Sequence, residues 1–429
     1  MKKTLLTLIF VFSAAILFAQ KEEYRREINK DFSVKADAKL SISNIFGNVN
    51  IVEGNENRIV FKIEIKGTGK NAEDARNYAE KVSVDFTSNN NHVTAKTKLP
   101  NNMSCQNCGV SIDYVVVVPR SATMDFNIRY GNLALNDTHK PLTVEILYGD
   151  IKANIIEDAK INAKYGDVKF EKCNKLTAVL LYGNLTATTI SKAGIDTKYG
   201  DVKFSTCGDT EIVSLYSDIK ADATANTTLD VKYANVAIGK CSNLKFKSLY
   251  ADFKSNSVSD ANIDIGYASV EIETCKDLRL KSLYTKFKFG EISSITGTSR
   301  YDAFNIKTIN DFTVTTLYTD IIIDKLNNSF VASDFKYSDL TIKNIDKNFS
   351  KIIADNGLYS DFRLGLTEQH NFKANISVGD YGDIDAGKIK FNNVTVSKAK
   401  NTIIGTAGKS ENPKAEVKIS AHYGTVNFK

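Results

Sequence analysis

Apolar and polar residues alternate through most of the chain, in a 17-residue repeat that is marked by a tyrosine. Three residues after each tyrosine the side chain is always apolar, as at Ile151 and Val202. Four residues before the tyrosine it is apolar except at Gly297. Alternation with a period of two predicts β-strands with one buried face. The tyrosines of the regular repeat are Tyr148, Tyr165, Tyr182, Tyr199, Tyr216, Tyr233, Tyr250, Tyr267, Tyr284, Tyr301 and Tyr318.

A unit of this length cannot bury its apolar face alone, so the units must stack on one another. Stacking with like residues in line gives parallel rungs about 4.8 Å apart. We therefore predict an all-β fold, a parallel β-helix or β-solenoid with a 17-residue repeat. A propeller needs longer blades, and an antiparallel barrel would not place identical units in one orientation.

A second pattern, with twice that period, overlies the first. Leucine precedes alternate tyrosines, as at Leu181 and Leu215, while Lys198, Lys232 and Gly266 precede others. Two arrangements explain this alternation. Either the solenoid has a 34-residue turn, or it has a 17-residue turn in which small side chains pack against large ones. The sequence leaves both open.

Tyr-Gly-Asp, as in Tyr148-Gly149-Asp150, separates the strands of a unit and is predicted to form its turn. Glycine tolerates a positive φ angle, and an aspartate side chain accepts hydrogen bonds from nearby backbone amides.

The N-terminus differs from the repeat. Residues 1–20 have the pattern of a signal peptide, with Lys2 and Lys3 before an apolar run and the small Ala19 at the cleavage site. We predict a strand-rich cap over residues 21–124. It contains one short helix, because Ala72, Ala75, Ala79 and Val82 recur at helical spacing.

The solenoid is predicted to occupy residues 125–429, with regular units at about 142–328 and irregular units at 329–429.

Several segments together resemble the putative adhesin family with DUF4097-type β-strand repeats. They are Ser43-Asn44-Ile45-Phe46-Gly47-Asn48-Val49-Asn50-Ile51, the helix near Asp74-Ala75-Arg76, Tyr114-Val115-Val116-Val117-Val118-Pro119 and the serial Tyr-Gly-Asp-Ile/Val units. The resemblance implies a right-handed β-helix in the bacterial cell envelope. It implies no catalytic residue, because the family offers no catalytic motif to carry over.

Charge and hydropathy argue against nucleic-acid binding and against a membrane span. The net charge is +6, from 56 basic and 50 acidic side chains. Because Lys and Asp are interspersed, no basic stripe of the kind that binds nucleic acid is expected. After residue 20 no run of about 18 apolar residues occurs, so the mature chain should have no membrane span. The partner is unknown, and envelope or host glycans and surface proteins are the candidates.

Cysteines form two groups. Cys173, Cys207, Cys241 and Cys275 stand eight residues after a tyrosine, where other units have apolar side chains, so they are expected in the core. No histidine accompanies them, which argues against a metal site. Cys105 and Cys108 lie in a polar loop, and in an oxidising compartment we predict a disulfide between them.

Two surface columns are candidates for binding. Asp or Asn stands two residues after the tyrosines at Asp150, Asp167, Asn184, Asp201, Asp218, Asn235 and Asp252. Calcium binding is one interpretation, but we favour capping of turns, with the charge compensated by lysines such as Lys152 and Lys203. The tyrosines either stack on sugar rings or form a structural aromatic ladder.

Catalytic motifs are missing from the pattern. His92, His139, His370 and His422 fall in different regions, and the regular units carry no loop insertion that could form a cleft. We therefore predict no catalytic residue, no cofactor and no metal, and no enzymatic activity. The expected function is that of an exported adhesin-like or scaffolding protein of the bacterial cell envelope, in the periplasm, on the cell surface or outside the cell. The alternative is a polysaccharide-binding or polysaccharide-degrading β-helix protein.

Overall fold

The computed structural model describes residues 21–54, 57–100, 108–379, 381–397 and 401–428. About 75% of the described residues are in strands, which wind into a β-solenoid of about 13 turns with a 17-residue repeat spacing. The predicted all-β solenoid is therefore confirmed. The predicted signal peptide, residues 1–20, lies outside the described residues.

The N-terminal part combines antiparallel strands with the first parallel rung. Its elements are β1 (Glu22–Ser33), β2 (Lys39–Ile45), β3 (Val49–Gly54), β4 (Arg58–Gly69), α1 (Ala72–Glu80), β5 (Ser83–Asn89), β6 (His92–Lys98), β7 (Gly109–Pro119), β8 (Thr123–Arg129) and β9 (Leu133–Leu135). β4 pairs antiparallel with β1 and β7. β2 lies parallel between β6 and β8, and β3 lies parallel between β7 and β9. A rung from early in the chain is thus inserted between two later segments.

The predicted helix is confirmed as α1. It begins after Asn71, whose side chain accepts a hydrogen bond from the Asp74 N–H at 2.8 Å. Ala75 and Ala79 are fully buried. A Cβ atom at Gly67 of β4 would lie 2.1 Å from the Ala75 carbonyl oxygen, so this glycine lets the helix approach the sheet closely.

No helix among the described residues is long and apolar enough to cross a membrane.

The regular array is parallel throughout. Its strands are β10 (Asp137–Thr138), β11 (Leu142–Leu147), β12 (Ile151–Lys152), β13 (Ile155–Lys164), β14 (Val168–Leu181), β15 (Leu185–Lys198), β16 (Val202–Leu215), β17 (Ile219–Lys232), β18 (Asn235–Leu249), β19 (Asp252–Arg300), β20 (Ala303–Leu317) and β21 (Asp320–Lys336). Val202 pairs with Leu185 on one side and with Ile219 on the other. One repeat unit therefore closes one turn, and the 34-residue turn is excluded.

The doubled period in the sequence is a packing effect between neighbouring turns. Phe170 pairs with Ala187, and Ala187 pairs with Phe204. A large side chain thus lies against a small one in the next rung, which fills the interior evenly.

At the C-terminal end the order of rungs again departs from the order of the chain. The strands are β22 (Asp339–Ile345), β23 (Lys351–Leu358), β24 (Phe362–Leu364), β25 (Phe372–Ser377), β26 (Asp383–Asp385), β27 (Phe391–Ser397), β28 (Thr402–Ala407), β29 (Ala415–His422) and β30 (Thr425–Phe428). β29 lies parallel between β23 and β25, and β30 lies between β24 and β26. β28 then pairs antiparallel with β25 and β27.

One continuous core fills the solenoid. Val202 is 1% exposed and Phe204 is 2% exposed, whereas Lys203 between them points to solvent. Past Leu244 the core is rich in phenylalanine, and the rings of Phe287 and Phe304 stack with their centroids 4.4 Å apart. The faces assigned from the alternation are those of the structure.

We predict that Val202→Asp destabilises the turns around it, because it buries a charge without a partner. The expected loss of unfolding free energy is roughly 3–5 kcal/mol. Lys203→Asp is the control, since its side chain lies in solvent. Hydrogen exchange of both variants measures the effect, which should begin in the turns next to β16. Equal loss of protection in the two variants would contradict the assignment of faces.

Candidate functional site

The tyrosines form one continuous stack of rings along a corner of the solenoid. Neighbouring ring centroids are 4.6–5.5 Å apart and the ring planes lie within 24° of parallel. In spatial order this tyrosine ladder consists of Phe46, Tyr130, Tyr148, Tyr165, Tyr182, Tyr199, Tyr216, Tyr233, Tyr250, Tyr267, Tyr284, Tyr301, Tyr318, Tyr337, Tyr359, Tyr423 and Tyr381. The spacing is that of the rungs, so the fold itself stacks the rings.

The backbone of these residues is unusual. Tyr148 has a φ of 57° and Tyr199 also has 57°, and the other tyrosines from Tyr130 to Tyr359 and Tyr423 are similar. The left-handed region is costly for a residue with a bulky side chain. Each ring recovers part of that cost, because it stacks on two neighbours. The tyrosine, not the glycine after it, supplies the left-handed turn.

The glycine after the tyrosine is needed for a different reason than the one predicted. A Cβ atom at Gly183 would lie 2.0 Å from the carbonyl oxygen of Gly166, and one at Gly166 would lie 1.9 Å from that of Gly149. Neither glycine has a φ in the left-handed region. The interpretation of this glycine as the residue with positive φ was therefore wrong: it allows close contact between the backbones of adjacent turns.

Asp and Asn two residues after the tyrosine cap the backbone of the next turn. Except at Asn235, the Oδ1 atom accepts a hydrogen bond from the N–H of the matching residue one turn later, at 2.7–3.0 Å. The Asp252 N–H, one turn after Asn235, donates to the Ala234 carbonyl oxygen instead. This Asx ladder consists of Asn132, Asp150, Asp167, Asn184, Asp201, Asp218, Asn235 and Asp252. Its role is the predicted capping, although the acceptor lies on the preceding turn rather than within the same unit.

Among the described residues, neither ion pairs nor metal clusters compete for these carboxylates. No ion pair there joins the Asx ladder to the lysines two residues further on; Lys254 instead pairs with Glu271 at 3.2 Å. The same part of the chain contains no group of three His, Cys, Asp or Glu side chains arranged to hold a metal ion.

Along most of its length the tyrosine ladder leaves only ring edges for a ligand. Tyrosines from Tyr130 to Tyr359 are 39–52% exposed, yet each inner ring has both faces covered by its neighbours. Stacking of a sugar on a tyrosine face therefore requires the end of the ladder, where Tyr381 is 80% exposed. Along the remaining length the structure favours the aromatic ladder over sugar stacking.

The four repeat cysteines are buried and free, as expected for core residues. Ile190 lies between Cys173 and Cys207 in the ladder, so the two thiols are two rungs apart, about 10 Å. A disulfide cannot span that distance. Burial raises the pKa of the Cys173 and Cys275 thiols to about 12, which keeps them protonated and unreactive.

The other predicted site residues remain dispersed. Cys108 is disulfide-bonded, but Cys105 lies outside the described residues, so their pairing stays a prediction. His139 contacts Glu53 at 3.2 Å, and buried His370 lies 3.1 Å from the Ile345 carbonyl oxygen.

Comparisons with known proteins support no family assignment. No family model matches the chain, so the DUF4097 resemblance stays a prediction. No curated protein matches it either.

Three solved structures are similar over much of the chain. A "putative cell adhesion protein" from Clostridium sporogenes is 10% identical, with 95% of this chain and 99% of that chain covered and a TM-score of 0.19. A "putative adhesin" from Bacteroides fragilis is 13% identical, with coverages of 63% and 97% and a TM-score of 0.23. A "putative lipid binding protein" from Parabacteroides distasonis is 11% identical, with coverages of 68% and 94% and a TM-score of 0.21. Scores this low say nothing about what this chain binds.

We predict that Gly183→Ala destabilises the protein, because its Cβ would meet a backbone oxygen that cannot move alone. Overpacking of this kind costs roughly 1–3 kcal/mol. Gly194→Ala is the matched control: a Cβ there meets nothing within 4 Å. It should leave the melting temperature unchanged or raise it slightly. Thermal unfolding of both variants checks the prediction, and a stable Gly183→Ala protein would refute the close-approach explanation.

We also predict that the Asx ladder needs an acceptor oxygen and not calcium. Asp201→Asn keeps an Oδ1 for the Asp218 N–H and should have the stability of the parent. Asp201→Ala removes it and should cost about 1 kcal/mol. A chelator should leave the melting temperature of the parent unchanged. A fall of several degrees that calcium alone restores would instead reveal a bound ion.

Proposed function

We propose that this chain is an exported, non-enzymatic β-solenoid that works as an adhesin-like or scaffolding protein of the bacterial cell envelope. The observation that carries the proposal is the unbroken register from Val168 to Leu317, in which turn follows turn without a loop insertion. Such an array offers long, straight faces, which suit binding to an extended partner or a surface.

The chemistry of the described side chains supports a binding role over catalysis. Hydrolases and lyases need acids, bases or metal ions that converge on the substrate in a pocket. Here the exposed carboxylates of the Asx ladder are engaged with backbone amides. The repeat thiols are buried, and burial raises the pKa of the Cys173 and Cys275 thiols. His139 and His370 serve contacts in separate parts of the fold.

Export is proposed from the sequence of residues 1–20. Export is tested by mass spectrometry of the N-terminus of the native protein, and protease treatment of whole cells distinguishes a periplasmic protein from one at the cell surface. Intact Met1 in a cytosolic fraction would refute export.

The proposed function predicts binding without turnover. Purified mature protein on an array of envelope and host glycans and surface proteins should bind at least one ligand, and the ligand should be recovered intact. The same preparation is incubated with each bound polysaccharide, and the release of reducing ends or unsaturated sugars is measured. Turnover of any polymer would favour the alternative, a polysaccharide-degrading β-helix protein.

A further inference from the structure

The column of residues just before the tyrosines is interrupted at one turn. Leucine and a cation alternate along most of this column, which runs Leu147, Lys164, Leu181, Lys198, Leu215, Lys232, Leu249, Gly266, Leu283, Arg300 and Leu317. Gly266 stands where the alternation calls for a cation. The column is symmetric about this glycine. A leucine lies one turn away on each side of it, and a cation lies one turn beyond each leucine.

The backbone does not require a glycine at this position. The φ angle of Gly266 is outside the left-handed region. A Cβ atom there would meet the Leu249 Cδ1 atom at 3.3 Å, the movable end of a side chain, and the Leu283 carbonyl oxygen at 3.6 Å. At Gly183, by contrast, a Cβ atom would lie 2.0 Å from a backbone carbonyl oxygen, so a side chain does not fit there. The missing side chain at Gly266 therefore has no explanation in the fold.

The gap forms a groove with a volume of about 570 Å³, which is within the range of ligand sites. Leu249 and Leu283 form its apolar walls, and Gly266 lies buried beneath them. At 38% exposure, Leu249 is the most exposed leucine of this column among the described residues.

Cations outnumber anions around the groove. Lys232, Lys247, Lys281 and Arg300 line it together with Asp230 and Asp264. Asp230 lies 4.0 Å from Lys247, and Asp264 lies 3.6 Å from Lys281. Among the described residues, neither Lys232 nor Arg300 has an ion-pair partner. The two residues are four rungs apart, which is about 20 Å, and both of their positive charges remain for a ligand.

We infer that this groove, the Gly266 groove, binds an acidic glycan whose sugar rings carry carboxylates. The apolar face of a ring fits between Leu249 and Leu283, and carboxylates on the same chain meet Lys232 and Arg300. A glycan running along the solenoid axis reaches both cations, because the rungs repeat at about the length of one sugar residue.

Two other polyanions fit the groove less well. A peptide strand needs a free sheet edge, but the strands here are paired on both sides through β17, β18, β19 and β20. Single-stranded nucleic acid binds by stacking its bases on exposed aromatic faces. The faces of Tyr250, Tyr267 and Tyr284 are covered by one another. Carboxylated sugar rings need neither feature.

The test uses galacturonic acid oligomers, with the methyl-esterified oligomers as a probe of the same rings without charge. The parent protein should bind the acid form by titration calorimetry and lose at least tenfold in affinity for the ester. Gly266→Lys restores the alternation of the column and fills the groove. It should reduce affinity at least tenfold although it adds a positive charge. Gly194→Lys adds the same charge at an open position elsewhere and should leave affinity unchanged.

Each result of these titrations either supports or overturns the Gly266 groove as the binding site. Binding that is unchanged or tighter in Gly266→Lys would show that charge alone attracts the oligomer and would overturn the groove. Equal affinity for a single-stranded oligonucleotide of the same charge would overturn the assignment to glycans. This inference rests on the proposed binding role, yet the two fail separately. If the array finds a ligand whose binding ignores Gly266→Lys, only the groove is lost, whereas turnover of a polymer refutes the non-enzymatic function.

Discussion

A rung of this protein is stable only when a rung in the same register lies on each side of it. The backbone groups of β16 pair with those of β15 and β17, and Val202 is buried because Leu185 and Ile219 lie above and below it. At each end of the stack, a rung therefore has a neighbour on one side only, and the repeat itself supplies no rung to pair with its other side. Both ends are closed in the same way: β2–β3 and β29–β30 are inserted out of chain order, and antiparallel strands then cover the stack.

The tight contact between rungs also explains the tyrosine corner. In the turns that have glycine after the tyrosine, the close approach of the backbones, as of Gly183 to Gly166, leaves no space for a side chain inside the turn. The chain then reverses through a left-handed tyrosine, whose ring is placed over the ring of the turn before. Stacking and the Asx bonds to the next turn offset the cost of that conformation. A motif that looks like a row of exposed aromatic sites is therefore largely a structural device, and its ring faces are already in use.

The sequence predicts the period, the buried face and the burial of the cysteines, because each depends on local alternation repeated many times. It does not distinguish a 17-residue from a 34-residue turn, since both place like residues in line. The sequence also does not predict the C-terminal rung that is inserted out of chain order. Tyr359, Tyr381 and Tyr423 follow one another in the chain, but Tyr423 stacks between the other two. The sequence did not predict the Gly266 groove, because its cations lie in different turns and far apart in sequence. The interruption of the column before the tyrosines was nevertheless visible in the sequence.

A perfect repeat distinguishes no place on its surface, so specificity must come from turns that break the pattern. Asp302 is one such break, standing where other turns have glycine or a small side chain. Burial raises the pKa of Asp302, but the hydroxyls of Ser282 and Ser299 donate to it at 2.5 and 2.6 Å, so the fold accounts for this residue fully. Gly266 is a break of the opposite kind. It removes a side chain that neighbouring turns retain and gains no contact by doing so. It leaves an apolar gap between two cations that have no ion-pair partner among the described residues. An irregularity that packing explains belongs to the fold itself, and one that packing does not explain is where a ligand should be sought.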